Sequence, residues 1–306
     1  MVSPELLGPL LAQLGLAPAR AVTPLRGGTG EVWRVDLDDG SAVVLKNFEG
    51  KKSPPDLDAF AGGQLTTLDV PVSRFLLVDD SRNHLPFAFA VTSYLEGHPA
   101  THFASHRHYG EIFLQIGALA RQLHAITMPG FGTLPSPEHA DNAAYIDALA
   151  GNAFERFLHY GAEPSLVEQL RRIFARDFDA VVPVTQRAVF AHDDLHPGYV
   201  LATETGDALA ISGLIDFGNA RAHSAVMDLA KTIFICEHMA PGCGPKIREG
   251  YGPIDHPTPQ AALAFYTMLH RVIMWWWLRR IGVIASADAD SELMQALRVT
   301  AFGTQH

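Results

Sequence analysis

Two short segments carry the acids that could do chemistry. AHDDLHPGYVL, Ala191 to Leu201, sets a histidine and two aspartates ahead of a His-Pro-Gly turn and an apolar run. IDFG, Ile215 to Gly218, ends an apolar stretch on a further aspartate. The interval between Asp194 and Asp216 reads as loop, strand, turn at Glu204 to Asp207, strand and loop. That folding-back predicts both carboxylates at the same end of a small hairpin. A lone aspartate in a loop is ordinary turn chemistry. A pair delivered this way, with His192 just before the first and Phe-Gly after the second, can turn one acid toward an acceptor hydroxyl and leave the other to hold a metal ion.

Two weaker signals lie upstream. GGTGEVWRV, Gly27 to Val35, is a glycine-rich turn between two strands, and such turns let backbone N–H groups approach phosphate closely. No GKS or GKT follows it, so it is not a P-loop. Lys46 ends the next strand, VVLK, where it could grip nucleotide phosphates. Taken alone, an ordinary hairpin and a solvated lysine would look the same.

The elements around these residues change character along the chain. Strands are expected at Thr23–Arg26, through GGTGEVWRVDL and SAVVLKNF with an Asp38-Asp39-Gly40 turn between them, and at FLLVDD and FAFAVTSYL. A short helix is expected over Pro55–Leu68, although Gly62 and Gly63 weaken it. Beyond about residue 100, apolar residues recur at three- and four-residue intervals, interrupted by the short segments RAVFAHD and LAISGLIDFG. The expectation is an α+β protein with a small N-terminal nucleotide-binding lobe over 1–95 and a larger, mainly helical lobe over 96–306.

Composition narrows the partners. A net charge of −10 argues against a phosphate-backbone ligand and excludes nucleic acid from the expected partners. The opening leucines recur at helical spacing behind Glu5, which predicts an amphipathic helix and not a secretion signal. VIMWWWL at 272–278 is too short to cross a bilayer, so no membrane is expected. Two cysteines, Cys236 and Cys243, fit neither a disulfide framework nor a zinc knuckle, and a reducing, cytoplasmic setting is expected.

In order, GGTGEVWRV, VVLK, VPV at 70–72, SYLEG at 93–97, ARQLHAI at 120–126, HDDLHPGYVL, LIDFGNA at 214–220 and MDLAKTIF at 227–234 resemble the aminoglycoside phosphotransferases, whose members share a two-lobed protein-kinase-like fold. The resemblance covers nearly the whole chain. It implies a small antiparallel β lobe with one main helix, and transfer of the γ-phosphate of ATP or GTP with Mg²⁺ to a hydroxyl of a small molecule. Asp194 would be the base, Asp216 the metal ligand, and Lys46 the contact to the α- and β-phosphates. Gly27, Gly28, Thr29 and Gly30 would cover the phosphates, Ser93, Tyr94 and Leu95 would hold the base of the nucleotide, and His192 and Asp228 would brace the catalytic loop.

This sequence departs from that pattern at three places. Tyr199 stands where the resemblance expects a metal-binding Asn, and a neutral phenol is a poor Mg²⁺ ligand. A working enzyme with one well-held metal and water, a working enzyme in which His196, Asn219 or Asp194 compensates, and a catalytically impaired nucleotide-binding protein all fit that change. No Glu occurs between Glu49 and Glu96 to pair with Lys46; Asp58 is nearest the expected place, with Asp56 second. Asp193 stands where Gly is common and reads as a solvated neighbour of the base. An acceptor wall drawn from Asp141, Glu237, Tyr251 and Trp275 would suit a cationic acceptor such as an aminoglycoside or basic peptide antibiotic, in a monomer or homodimer. Homoserine, choline, sugars and macrolides are the alternatives.

Overall fold

The computed structural model describes residues 2–25, 31–49, 55–65, 68–69, 71–185, 187–286 and 291–303, less the side chains of 55, 56, 58 and 59. The chain divides into two compact units, residues 1–119 with 196–220 and residues 120–195 with 221–306.

The first unit is built on a five-stranded antiparallel sheet, ordered β1-β2-β3-β5-β4. Its strands are β1 (Ala19–Leu25), β2 (Val32–Leu37), β3 (Ala42–Asn47), β4 (Phe75–Asp79) and β5 (Phe89–Ser93). The β2–β3 turn forms at the expected Asp-Asp-Gly. Asp39 accepts the Ser41 N–H at 2.9 Å, and Gly40 takes a φ of 87° that an unbranched backbone reaches without strain. Helix α1 (Pro4–Gln13) opens with Ser3 accepting the Leu6 N–H and Pro4 in the first turn. It buries Leu7, Leu10 and Leu11 against Val35, Leu37, Leu45 and Phe89 of the sheet, as the leucine spacing predicts. Each such leucine contributes about 1.5–3 kcal/mol when fully buried. Helix α2 (Pro55–Gln64) ends earlier than expected.

The same unit holds β6 (His98–Pro99), a 3-10 turn over Ala100–Phe103, the first part of α3 (Tyr109–Leu123) and, much later in sequence, a hairpin. That hairpin's strands are numbered in chain order β9 (Val200–Thr205) and β10 (Ala208–Leu214), after β7 (Gly132–Thr133) and β8 (Val189–Ala191). Residues on both sides of 95 therefore belong to this unit. The reason is pairing: β6 bonds to β9 through His98 and Ala202, and Gln115 of α3 ties to Leu209 O and Ile211 N, each at 2.9 Å.

The second unit is mainly helical. It contains α4 (Asn142–His159), α5 (Pro164–Val181), β11 (Arg221–His223), α6 (Ala225–Met239), α7 (Gly244–Tyr251), α8 (Pro259–Arg280) and α9 (Glu292–Phe302). A short antiparallel sheet, β7-β11-β8, brings Ala191 opposite Arg221. Helix α8 is buried on most of its circumference. Trp275 is fully buried, edge-on to Phe157 at 5.0 Å, and Trp276 stacks on Tyr160, while Trp277 is 43% exposed. Three consecutive tryptophans at 100° steps cannot share one face, as the sequence implied. Among the described residues, no helix is long and apolar enough to cross a membrane.

Candidate active site

The first unit carries the residues expected to bind nucleotide and metal. Lys46 lies on β3 opposite Ala90 of β5 and Val32 of β2. Ser93 ends β5, where its hydroxyl accepts the Arg74 N–H at 2.9 Å. The Arg34 guanidinium lies 4.2 Å over the Tyr94 ring. Leu95 rests against β10: a Cβ added to Gly213 would come within 2.9 Å of its side chain. Gly97 closes this segment at φ 120°, and a Cβ there would meet the Ala202 carbonyl oxygen at 2.8 Å. The glycine turn Gly27, Gly28, Thr29 and Gly30, and the side chain of Asp58, lie outside the described residues.

The hairpin joins the two expected metal positions. Val200 pairs with Leu214, and the Ile215 N–H extends the ladder to the Tyr199 carbonyl at 3.0 Å. Leu214 is itself tied to Pro71, whose carbonyl accepts its N–H at 3.0 Å. Asp216 follows with a φ of 65°, a left-handed conformation that costs a side-chain-bearing residue energy and marks a backbone held by its surroundings. The Tyr199 ring packs on His196, centroid to centroid at 4.4 Å, and His196 Nδ1 accepts the Gly198 N–H at 3.0 Å. For a magnesium ion, the Asp216 carboxylate is a hard oxygen donor of the right kind and the Tyr199 phenol is not.

The second unit carries the loop 192–195, delivered by β8 and tied to α6. Asp228 is fully buried, and its carboxylate accepts the His192 N–H at 3.3 Å and the Asp193 N–H at 3.0 Å. The same carboxylate meets His124 Nε2 at 3.0 Å, and His124 Nδ1 meets the Tyr251 hydroxyl at 2.9 Å. An ionised Asp228 only accepts, so His124 donates to it from Nε2. Burial would raise the Asp228 carboxyl, but the hydrogen bond and charge of His124 outweigh it and leave Asp228 below the ordinary carboxylate range. Burial likewise pushes the Tyr251 phenol up to about 12, so it stays protonated.

Asp193 is not the solvated residue that the sequence suggested. It is 9% exposed, at a φ of 54°, and surrounded by cations. Lys231 of α6 lies 3.0 Å from one carboxylate oxygen and also donates to the Asp193 backbone carbonyl. His223 Nε2 is 3.3 Å from the other oxygen, and Arg221 Nε approaches at 3.5 Å. Burial would raise this carboxyl, yet the Lys231 charge and the His223 hydrogen bond hold it well below the usual range. Asp193, His223 and Asp228 bring ligand-type atoms within 4.8 Å of one another. Their oxygens are committed to ammonium, imidazole and backbone donors, so the cluster does not suit a metal ion. A cavity of about 90 Å³ lies beside it, lined by Asp193, Arg221, Lys231 and His270 over Leu149 and Met227.

The four residues expected at the acceptor wall hold structural positions. Asp141 caps α4 by accepting the Ala144 N–H at 2.8 Å. Glu237 accepts the Gly242 and Gly244 N–H groups at 2.7 and 2.6 Å. Tyr251 is bonded to His124, and Trp275 is in the core. His124, His223 and Lys231 received no role from the sequence. His124 lies far from Asp228 along the chain, and no spacing signals their contact.

The model of the phosphotransferase enzyme family matches residues 21–265. No curated protein matches the chain. Among solved structures, the apo form of a thermostable mutant of aminoglycoside phosphotransferase APH(4)-Ia aligns at TM-score 0.68 and 16% identity, covering 99% of this chain and 100% of that one. The GDP complex of aminoglycoside 2'-phosphotransferase-IIIa aligns at 0.63 and 16%, over 96% and 97% of the two chains. Macrolide 2'-phosphotransferase MphH from Brachybacterium faecium aligns at 0.63 and 16%, over 99% of each. At these identities the likeness is one of fold.

Proposed function

Because the chain belongs to the phosphotransferase enzyme family, we propose that it moves the γ-phosphate of ATP or GTP to a hydroxyl of a small, cationic molecule of the aminoglycoside or basic peptide class. Asp194 acts as the base or orients the acceptor hydroxyl. Lys46 contacts the α- and β-phosphates, and Ser93 to Leu95 hold the nucleotide's base. Asp216 would hold Mg²⁺, which when bound would supply charge neutralisation at the phosphates. In phosphoryl transfer the protein does little covalent chemistry, so its work is positioning and charge neutralisation. The observation that carries the reading is the Asp228 carboxylate accepting two successive N–H groups, His192 and Asp193, directly before Asp194. A buried residue that fixes a loop at its polar backbone supports a role for the carboxylate that follows.

Tyr199 favours a second reading, a nucleotide-binding protein without turnover, since its phenol replaces an amide oxygen at the metal. A transfer screen separates the two. ATP and GTP are each tested with Mg²⁺ against aminoglycosides, basic peptide antibiotics, macrolides, choline, homoserine and sugars, with Asp194→Asn as control. Transfer to one acceptor that the control lacks, with nucleotide binding kept, is expected. Nucleotide-dependent thermal stabilisation without transfer to any acceptor would favour the second reading. Equal turnover in both proteins would remove Asp194 from the mechanism.

A further inference from the structure

We propose that Lys231 is a positioning residue that sets the peptide leading into Asp194, an inference that rests on the role given to Asp194 above. Asp193 holds a φ of 54°, where a residue with a Cβ is strained and glycine is not. An aspartate kept there must be held by bonds that outweigh the strain. Those bonds have a direction. Asp228 takes the N–H of Asp193, which belongs to the peptide before it. Lys231 takes the carbonyl of Asp193, which belongs to the peptide after it, and grips the carboxylate of the same residue at 3.0 Å.

Both peptides flanking Asp193 are therefore tied to one helix, at positions three apart and on one face of α6. His223 and Arg221 touch only the carboxylate. Lys231 alone among these three side chains bonds both the side chain and the main chain of Asp193, and so fixes the plane of the Asp193–Asp194 peptide. An ordinary buried ion pair would add stability or specificity to the fold but would not act on the reaction.

The test works in an Asp193→Gly background. Glycine takes the left-handed backbone without strain, and no carboxylate is left stranded when Lys231→Met is added; thermal unfolding of the single and double variants checks that both keep their fold. Two quantities are read: phosphate transfer to water with Mg²⁺ and ATP or GTP, and amide hydrogen exchange over residues 192–195. Adding Lys231→Met is expected to lower kcat further by about thirtyfold with nucleotide KM unchanged, the scale of a misplaced reacting group. Exchange in the loop rises at least about tenfold as its tie to α6 is lost. Unchanged exchange overturns the grip. Faster exchange with kcat retained overturns the positioning role. A wild-type protein that transfers phosphate to neither water nor any acceptor refutes the proposed function instead, and the exchange arm still decides the grip.

Discussion

Asp228→Asn tests the loop anchor with almost no change in shape. In the native site one carboxylate oxygen accepts the Asp193 N–H and the other accepts from His192 N–H and His124 Nε2. An amide keeps one acceptor oxygen and replaces the other with an NH₂ donor. If the oxygen faces Asp193, the NH₂ points at the His192 N–H; if the amide flips, it points at the Asp193 N–H. His124 can move its proton to Nδ1 and accept from the amide, with the Tyr251 hydroxyl turning to accept, so the imidazole adapts. The backbone cannot. Either rotamer leaves one buried N–H against a donor, at about 1–3 kcal/mol, and weakens the charge-assisted bonds that remain.

The expected loss is about 3 kcal/mol of folding free energy, read as a fall in urea midpoint at unchanged slope. Because the strain falls on the two peptides that lead into Asp193, the residue before Asp194, kcat should drop by more than tenfold with nucleotide affinity unchanged. The scale of the stability loss reflects two bonds at once, one stranded and the others reduced. A loss below about 1 kcal/mol would mean that Asp228 does not hold the loop. A full loss of stability with kcat preserved would mean that the anchor is purely structural.

Other perturbations reach separate parts of the argument. Tyr199→Asn puts an amide oxygen where the proposed function expects a metal ligand and is expected to raise turnover or lower the Mg²⁺ concentration for half-maximal rate; no response would mean another metal arrangement. His270, buried beside Lys231 with Nε2 bonded to Met227 O, is pushed by burial from its ordinary 6.5 to about 4. The unfolded chain takes that proton first, so this contribution is complete above pH 6.5 and declines as pH falls toward 4, by about 3 kcal/mol in all. Equilibrium unfolding at stepped pH should show the decline, and His270→Gln, which keeps the donor, should flatten it. Gly97→Ala adds a Cβ 2.8 Å from the Ala202 carbonyl at a φ of 120° and is expected to cost about 2 kcal/mol by thermal unfolding; an unchanged Tm would mean that β6 shifts without penalty.

The sequence conveyed most of the scaffold. Period-two alternation and an Asp-Gly turn gave the β2–β3 hairpin, and leucine spacing gave α1, because local chemistry decides both. The Asp194-to-Asp216 interval read correctly as strand, turn and strand. What stayed hidden are pairings between distant residues. Nothing near Asp193 in sequence reveals that Lys231, His223 and Arg221 surround it, so a buried aspartate read as a solvated one. Tyr251 and Trp275 looked like cleft aromatics because residue type alone does not tell a core ring from a binding one. Asp141 and Glu237 looked like acceptor carboxylates, and their hydrogen bonds to helix and loop N–H groups become apparent only once the backbone is in place.

Helix α6 is where these threads meet within the second unit. Asp228 and Lys231 reach the loop from one face, and the carbonyl of Met227, one residue earlier, is held by His270 of α8. Helix α8 is in turn locked by Trp275 and its neighbours in the core. A close-packed interior resists small displacements, so α6 cannot shift by a fraction of an ångström without cost to that packing. Two polar contacts on one rigid helix then set the loop more firmly than the same contacts on a surface loop would. A reaction that depends on where a carboxylate sits, more than on what it is, gains most from such support. Core variants on the α6-facing side of α8 should therefore lower kcat before they lower nucleotide affinity, whereas equally destabilising variants in α1 should not.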